Sequence, residues 1–68
     1  MTKAFLIQEM MVNNSDGHGV EICIFQHENN GIFAIDSSFL IQNFEDDETP
    51  IINDPFNKDM EVELIGLD

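Results

Sequence analysis

The sequence predicts an α+β fold: a small antiparallel sheet of three to four strands, ordered β-β-β-α-β, with one short helix packed on one face. Three observations carry that expectation. Alternating and β-branched apolar runs occupy the first half and the end of the chain. Clusters of Asn, Asp, Ser and Gly separate them. A triplet of helix-capping residues precedes the one short run with helical apolar spacing. With 68 residues there is room for a single domain, residues 1–68, and 43% apolar content suffices for a small core.

Ala4 to Val12 reads AFLIQEMMV, apolar on both parities, so it reads as a strand whose inward face is left open. Residues 13–19 then gather turn formers, including Gly17 and Gly19. Val20 to His27 is the clearest strand, alternating Val20, Ile22 and Ile24 with Glu21, Cys23 and Phe25. Asn29-Asn30-Gly31 signals a tight hairpin, and either two-residue loop within it places Ile22, Ile24, Phe33 and Ile35 on one face. The opposite face then carries Cys23 and Phe25, and is either left wet, covered by the 50–57 loop or buried in a homodimer around Phe25.

Asp36, Ser37 and Ser38 are N-cap candidates for a two-turn helix presenting Leu40, Ile41 and Phe44 on one side. It should stop by residue 45, because Glu45 to Glu48 would lie at the negative end of its dipole. Thr49-Pro50 and Asp54-Pro55 bracket Ile51-Ile52-Asn53, so prolines exclude this segment from the middle of a sheet and suggest a crossing loop plugged by Ile51, Ile52 or Phe56. Met60, Val62 and Leu64 alternate with Glu61 and Glu63, the pattern of a half-buried antiparallel strand with an acidic outer face.

Charge narrows the function classes. Fourteen acids face two lysines and no arginine, a net charge of −12. Phosphate neutralisation needs cationic side chains, so direct binding to nucleic acid or an anionic membrane is not expected. No segment approaches the ~20 apolar residues of a membrane span, and the interrupted N-terminal apolar run does not resemble a signal peptide. The lone Cys23 has no internal disulfide partner. A cytoplasmic protein is the expectation.

Spread evenly over the ~4,300 Å² surface of a folded chain this size, the acids would stand roughly 17 Å apart, beyond the ~8 Å screening length. They are instead clustered. Glu45, Asp46, Asp47, Glu48, Asp54, Asp59, Glu61, Glu63 and Asp68 fall in the last third, against Lys58 alone. Glu61 and Glu63 should project from one strand face about 6.7 Å apart, an interval close to that of successive phosphates.

Other chemistry finds little footing. Cys23 and His27, four residues apart on one strand, lie roughly 13 Å apart, too far for a shared ion, so no metal or cofactor is expected. Ser37 and Ser38 beside Asp36 are capping residues, and no nucleophile with its base is evident. His27 reads as an exposed strand end. Cys23, beside Glu21 and no cation, reads as a buried small hydrophobe.

The expected function is therefore a non-enzymatic acidic interaction protein that mimics a phosphate backbone and occupies the basic groove of a nucleic-acid-binding protein. Its partner-binding residues would be Glu45, Asp46, Asp47, Glu48, Asp54, Asp59, Glu61 and Glu63. In composition, though through no motif, the chain is similar to phage-encoded inhibitors of host nucleases and CRISPR effectors. That likeness implies an inhibitor and transfers no residues. The alternatives are a self-associating structural module and an immunity or antitoxin protein against a basic toxin.

Overall fold

The runs marked by the sequence become five strands and one helix: β1 (Thr2–Asn13), β2 (Gly19–His27), β3 (Ile32–Asp36), α1 (Ser37–Asn43), β4 (Ile51–Asp54) and β5 (Asn57–Ile65). They are seen in a computed structural model that describes residues 1–45 and 47–67. The strands form one mixed sheet in the order β3-β2-β1-β5-β4. Four strands joined only antiparallel would be incomplete here, because β1 and β5 run parallel, with Thr2 opposite Val62 and Phe5 opposite Ile65.

The additional strand is β4, where a crossing loop was expected. Its flanking prolines are compatible with a strand because β4 lies at the sheet edge, between Pro50 and the turn at Pro55-Phe56. The sheet is curled. Strands β3 and β4 are opposite edges, which in a flat sheet would lie about 19 Å apart. Instead Ala34 to Asp36 of β3, Phe39, and Ile52 and Asn53 of β4 line one open groove of about 470 Å³, and Phe33 lies 6.2 Å from Phe56 between ring centroids.

Inside the curl, Ala4, Cys23, Phe25, Val62 and Leu64 are buried, with Leu6, Phe33, Ile35, Leu40, Ile52 and Leu67 packed against them. This reverses one expectation. Phe33 and Ile35 share a face with Phe25 and Cys23, not with Ile22 and Ile24. The cause is the β2–β3 connection. Gln26 pairs with Ile32 and the His27 N–H donates to the Gly31 carbonyl, so three residues centred on Asn29 replace a two-residue turn, and a one-residue change of register exchanges the faces. The loop is wide because the chain past His27 stays bonded to β1: the Glu28 N–H donates to the Lys3 carbonyl, and the Glu28 carboxylate accepts from the Lys3 N–H. The face around Phe25 is thus the core and cannot be a dimer contact.

Strand β1 resolves its own ambiguity with a bulge. Leu6 pairs with Phe25 and Gln8 with Ile24, so Ile7 is one extra residue. Ala4 and Leu6 face the core before it. After it Met10 and Val12 lie on the outer face, opposite Ile22 and Val20. Apolar residues on both parities are what a strand that changes face requires.

Asp36 caps α1, its carboxylate accepting from the Ser38 N–H at 2.9 Å and the Ser38 hydroxyl at 2.8 Å. The helix ends before Glu45, as the charge pattern predicts. Only part of its apolar side docks. Leu40 and Phe44 are half-buried, but Ile41, 78% exposed, faces solvent.

At the C-terminal end Gly66 adopts φ +104°, and a Cβ there would lie 3.1 Å from the Leu6 Cβ. Gly66→Ala should therefore destabilise by about 1–3 kcal/mol in urea titrations. The corrected faces predict a sharper contrast. Phe25→Ala should cost about 3–5 kcal/mol, a large part of the roughly 3–10 kcal/mol expected for a chain this size, whereas Ile22→Ala should cost about 1 kcal/mol.

Candidate functional site

Strand β5 orders its acids by parity. Val62 and Leu64 enter the core, so Glu61 and Glu63 project from the outer face. Glu61 is exposed and Glu63 half-buried, flanked by Lys3 on β1 and Ile51 on β4. Glu45, Asp47 and Glu48 are exposed in the connection from α1 to β4. A turn closed by the Glu48 N–H on the Glu45 carbonyl shapes that connection. It then joins β5, where the Leu64 N–H donates to the Pro50 carbonyl at 2.9 Å. Asp46 lies outside the described residues.

Asp59 is exposed at the other end of β5, where the register jumps between the Asn53–Glu61 and Asp54–Asn57 pairs, and its N–H donates to the Asn57 side chain. Neither lysine lies in ion-pair contact with a described carboxylate.

Asp54 does not belong to this surface. It is 5% exposed, and its Oδ2 lies 2.8 Å from Nε2 of His27, itself 2% exposed. The Asn29 N–H points at Nδ1 of His27 at 3.1 Å, which assigns the ring hydrogen to Nε2 and makes His27 the donor to Asp54. Asp54 Oδ1 accepts from the Phe56 N–H at 2.8 Å. Phe56 packs edge-on against the imidazole, with centroids 5.3 Å apart. The pair is a buried polar clasp between β2 and β4: His27 does end its strand but is buried where exposure was expected, and Asp54 is not the surface acid expected of it.

Two signals in the sequence point to the clasp. His27 shares parity with Phe25, and Asp54 precedes Pro-Phe-Asn, an Asx-turn pattern. Only the pairing of the two hairpins brings the residues together.

Burial opposes ionisation of Asp54, but hydrogen bonds from Phe56, His27 and Asn57 outweigh it and hold the carboxyl below the usual aspartate range. Asp36 is also lowered, by the Ser38 N–H and hydroxyl. Cys23 is shifted the other way: burial first, then the negative charges of Glu9, Glu21 and Asp36, push its thiol up. The thiol is therefore a packing group, as expected.

Among the described residues no cluster of three or more His, Cys, Asp or Glu side chains could hold a metal ion. No helix among them is long and apolar enough to cross a membrane. No protein-family model, curated protein or solved structure matches the chain.

The two lowered carboxyls fix the sign of the acid response. Each stabilises the fold fully above the unfolded aspartate value and loses that contribution as pH falls through the folded one. The melting temperature should hold from pH 7 to about 4.5 and drop below about 4. Asp54→Asn should melt lower at pH 7, where its charged hydrogen bonds are lost, and show a shallower acid limb.

Proposed function

We propose that this chain is a non-enzymatic acidic interaction protein that enters the cationic groove of a nucleic-acid-binding protein and excludes nucleic acid from it. The observation that carries this reading is the outward pair Glu61 and Glu63 on β5, with the acidic connection entering the sheet beside it. Ile51 pairs with Glu63, and the bond to Pro50 extends the association of the two segments towards Glu48. Beyond Pro50 the chain leaves the strand, so the outward line on β5 is Glu61 and Glu63, about 6.7 Å apart, with Glu45, Asp47 and Glu48 exposed in the connection that leads into β4. Glu61 and Glu63 are closer than the ~8 Å screening length, so their fields add.

The binding residues on this reading are Glu45, Asp47, Glu48, Glu61 and Glu63, with Asp59 at the far end of the strand. Asp54 is withdrawn into the clasp. A rigid strand favours such mimicry, since the carboxylate spacing is set before the partner arrives. The clasp itself does not suggest catalysis: His27 and Asp54 are covered by Phe56, and both His27 ring nitrogens are occupied by protein groups.

Immobilised protein should capture a nucleic-acid-binding protein from nuclease-treated lysate at low salt, release it as salt rises, and displace labelled DNA from it in fluorescence anisotropy. Glu61→Lys with Glu63→Lys should abolish both effects while leaving the circular dichroism spectrum unchanged. Capture that persists in that variant and at raised salt would sink the proposal.

A further inference from the structure

Strand β1 has two halves with different surroundings. Thr2 to Phe5 lie between β2 and β5, but from Ile7 to Asn13 β1 is paired only with β2, and among the described residues no backbone hydrogen bond reaches its other edge. The bulge marks the division, and Leu6 to Glu9 line an open depression of about 270 Å³ beside it. The freed edge reads Ile-Gln-Glu-Met-Met-Val-Asn, with Ile7 55% and Met11 64% exposed and Met10 and Val12 also open to solvent. Proteins ordinarily protect such an edge with lysine, proline or a covering element; among the described residues this one has none of these, only the bulge at Ile7 and the charge of Glu9.

We propose that this edge is a twofold interface at which β1 pairs antiparallel with β1 of a second copy of the chain. Its charge favours a copy over the cationic partner inferred above. The edge holds a single acid, Glu9, in a protein of net charge −12, so a basic groove gains least here and a second acidic chain is repelled least. An antiparallel strand edge is also self-complementary about a twofold axis.

Symmetry restricts the register. A twofold axis perpendicular to the sheet keeps each side chain on its own face, so it must pass through a residue and not between two. Centred on Met10, the midpoint of the free edge, it pairs Ile7 with Asn13 and uses the whole segment. Met10 then meets Met10 of the partner chain, Val12 meets Gln8, and Glu9 meets Met11. Centred on Glu9 it would set two carboxylates directly opposite each other. The Met10 register is therefore the one assigned, and the two hairpins become a four-stranded ribbon.

Light scattering on a sizing column should show a mass of twice the 7.7 kDa chain at concentrations up to about 1 mM. Added salt should strengthen this association, the opposite of its effect on a cationic partner, so the two proposals fail separately. Met10→Glu should weaken dimerisation at least tenfold. Met10→Cys should crosslink under copper–phenanthroline oxidation, since directly opposed Cα atoms lie about 4.5–5.5 Å apart. Val12→Cys, displaced about 13 Å from its symmetry mate, should not. A single 7.7 kDa species throughout, an assembly larger than two, a dimer indifferent to Met10→Glu, or crosslinking of the Val12→Cys variant in preference to the Met10→Cys variant would overturn the proposal.

Discussion

The parallel seam between β1 and β5 is the pairing on which the rest of this structure depends. It joins residues 2–5 to residues 62–65, almost the full length of the chain apart, and without it the N-terminal meander and the C-terminal hairpin would be separate pieces. Closing so long a loop costs entropy before any contact forms. The return is the core, because the seam lines up Ala4, Val62 and Leu64 beneath Phe25. A two-stranded hairpin is marginal alone, and here neither half has enough apolar surface to bury without the other. The His27–Asp54 clasp ties the same two halves through side chains.

That clasp also explains how so small a fold can tolerate buried polar groups. Every polar atom of the pair finds a partner, and no described buried side-chain nitrogen or oxygen is left without one. A buried carboxylate costs most when its lone pairs are empty. Here the turn after β4 supplies backbone N–H groups to Asp54, and the widened β2–β3 loop supplies Asn29 to His27. The loop that shifts the β3 register is thus also the loop that satisfies the imidazole, so the face exchange and the clasp arise from one local geometry.

The bulge at Ile7 gives the molecule two kinds of surface. Before it, β1 is an interior strand; beyond it, the same strand leaves the sheet as half of an apolar ribbon. Among the described residues, the outward acids of the last third lie elsewhere: Asp59, Glu61 and Glu63 along β5, and Glu45, Asp47 and Glu48 in the segment that precedes β4. Carboxylates resist desolvation while methionine and isoleucine side chains gain from it, so separating the two lets one small chain offer an electrostatic surface and an apolar one without compromise.

Local pattern was enough for much of this. The turn at residues 13–19, the Asp36 cap, the end of α1 before Glu45, and the alternation that turns Glu61 and Glu63 outward all depend on neighbours within a few residues, so the amino-acid order determined them. Tertiary structure decided whatever depended on pairing between distant segments. Proline spacing could place residues 51–54 outside a sheet centre but could not distinguish an edge strand from a loop, because the distinction lies in β5. The faces of β2 and β3 were set by a loop length that contacts with β1 impose, and the apolar residues on both parities of β1 had no single reading until the bulge was seen. Asp54 carries the same charge as Glu61 and occurs in an equally polar stretch of chain. It lies inside because His27 meets it from the other hairpin, and no local rule connects residues 27 positions apart.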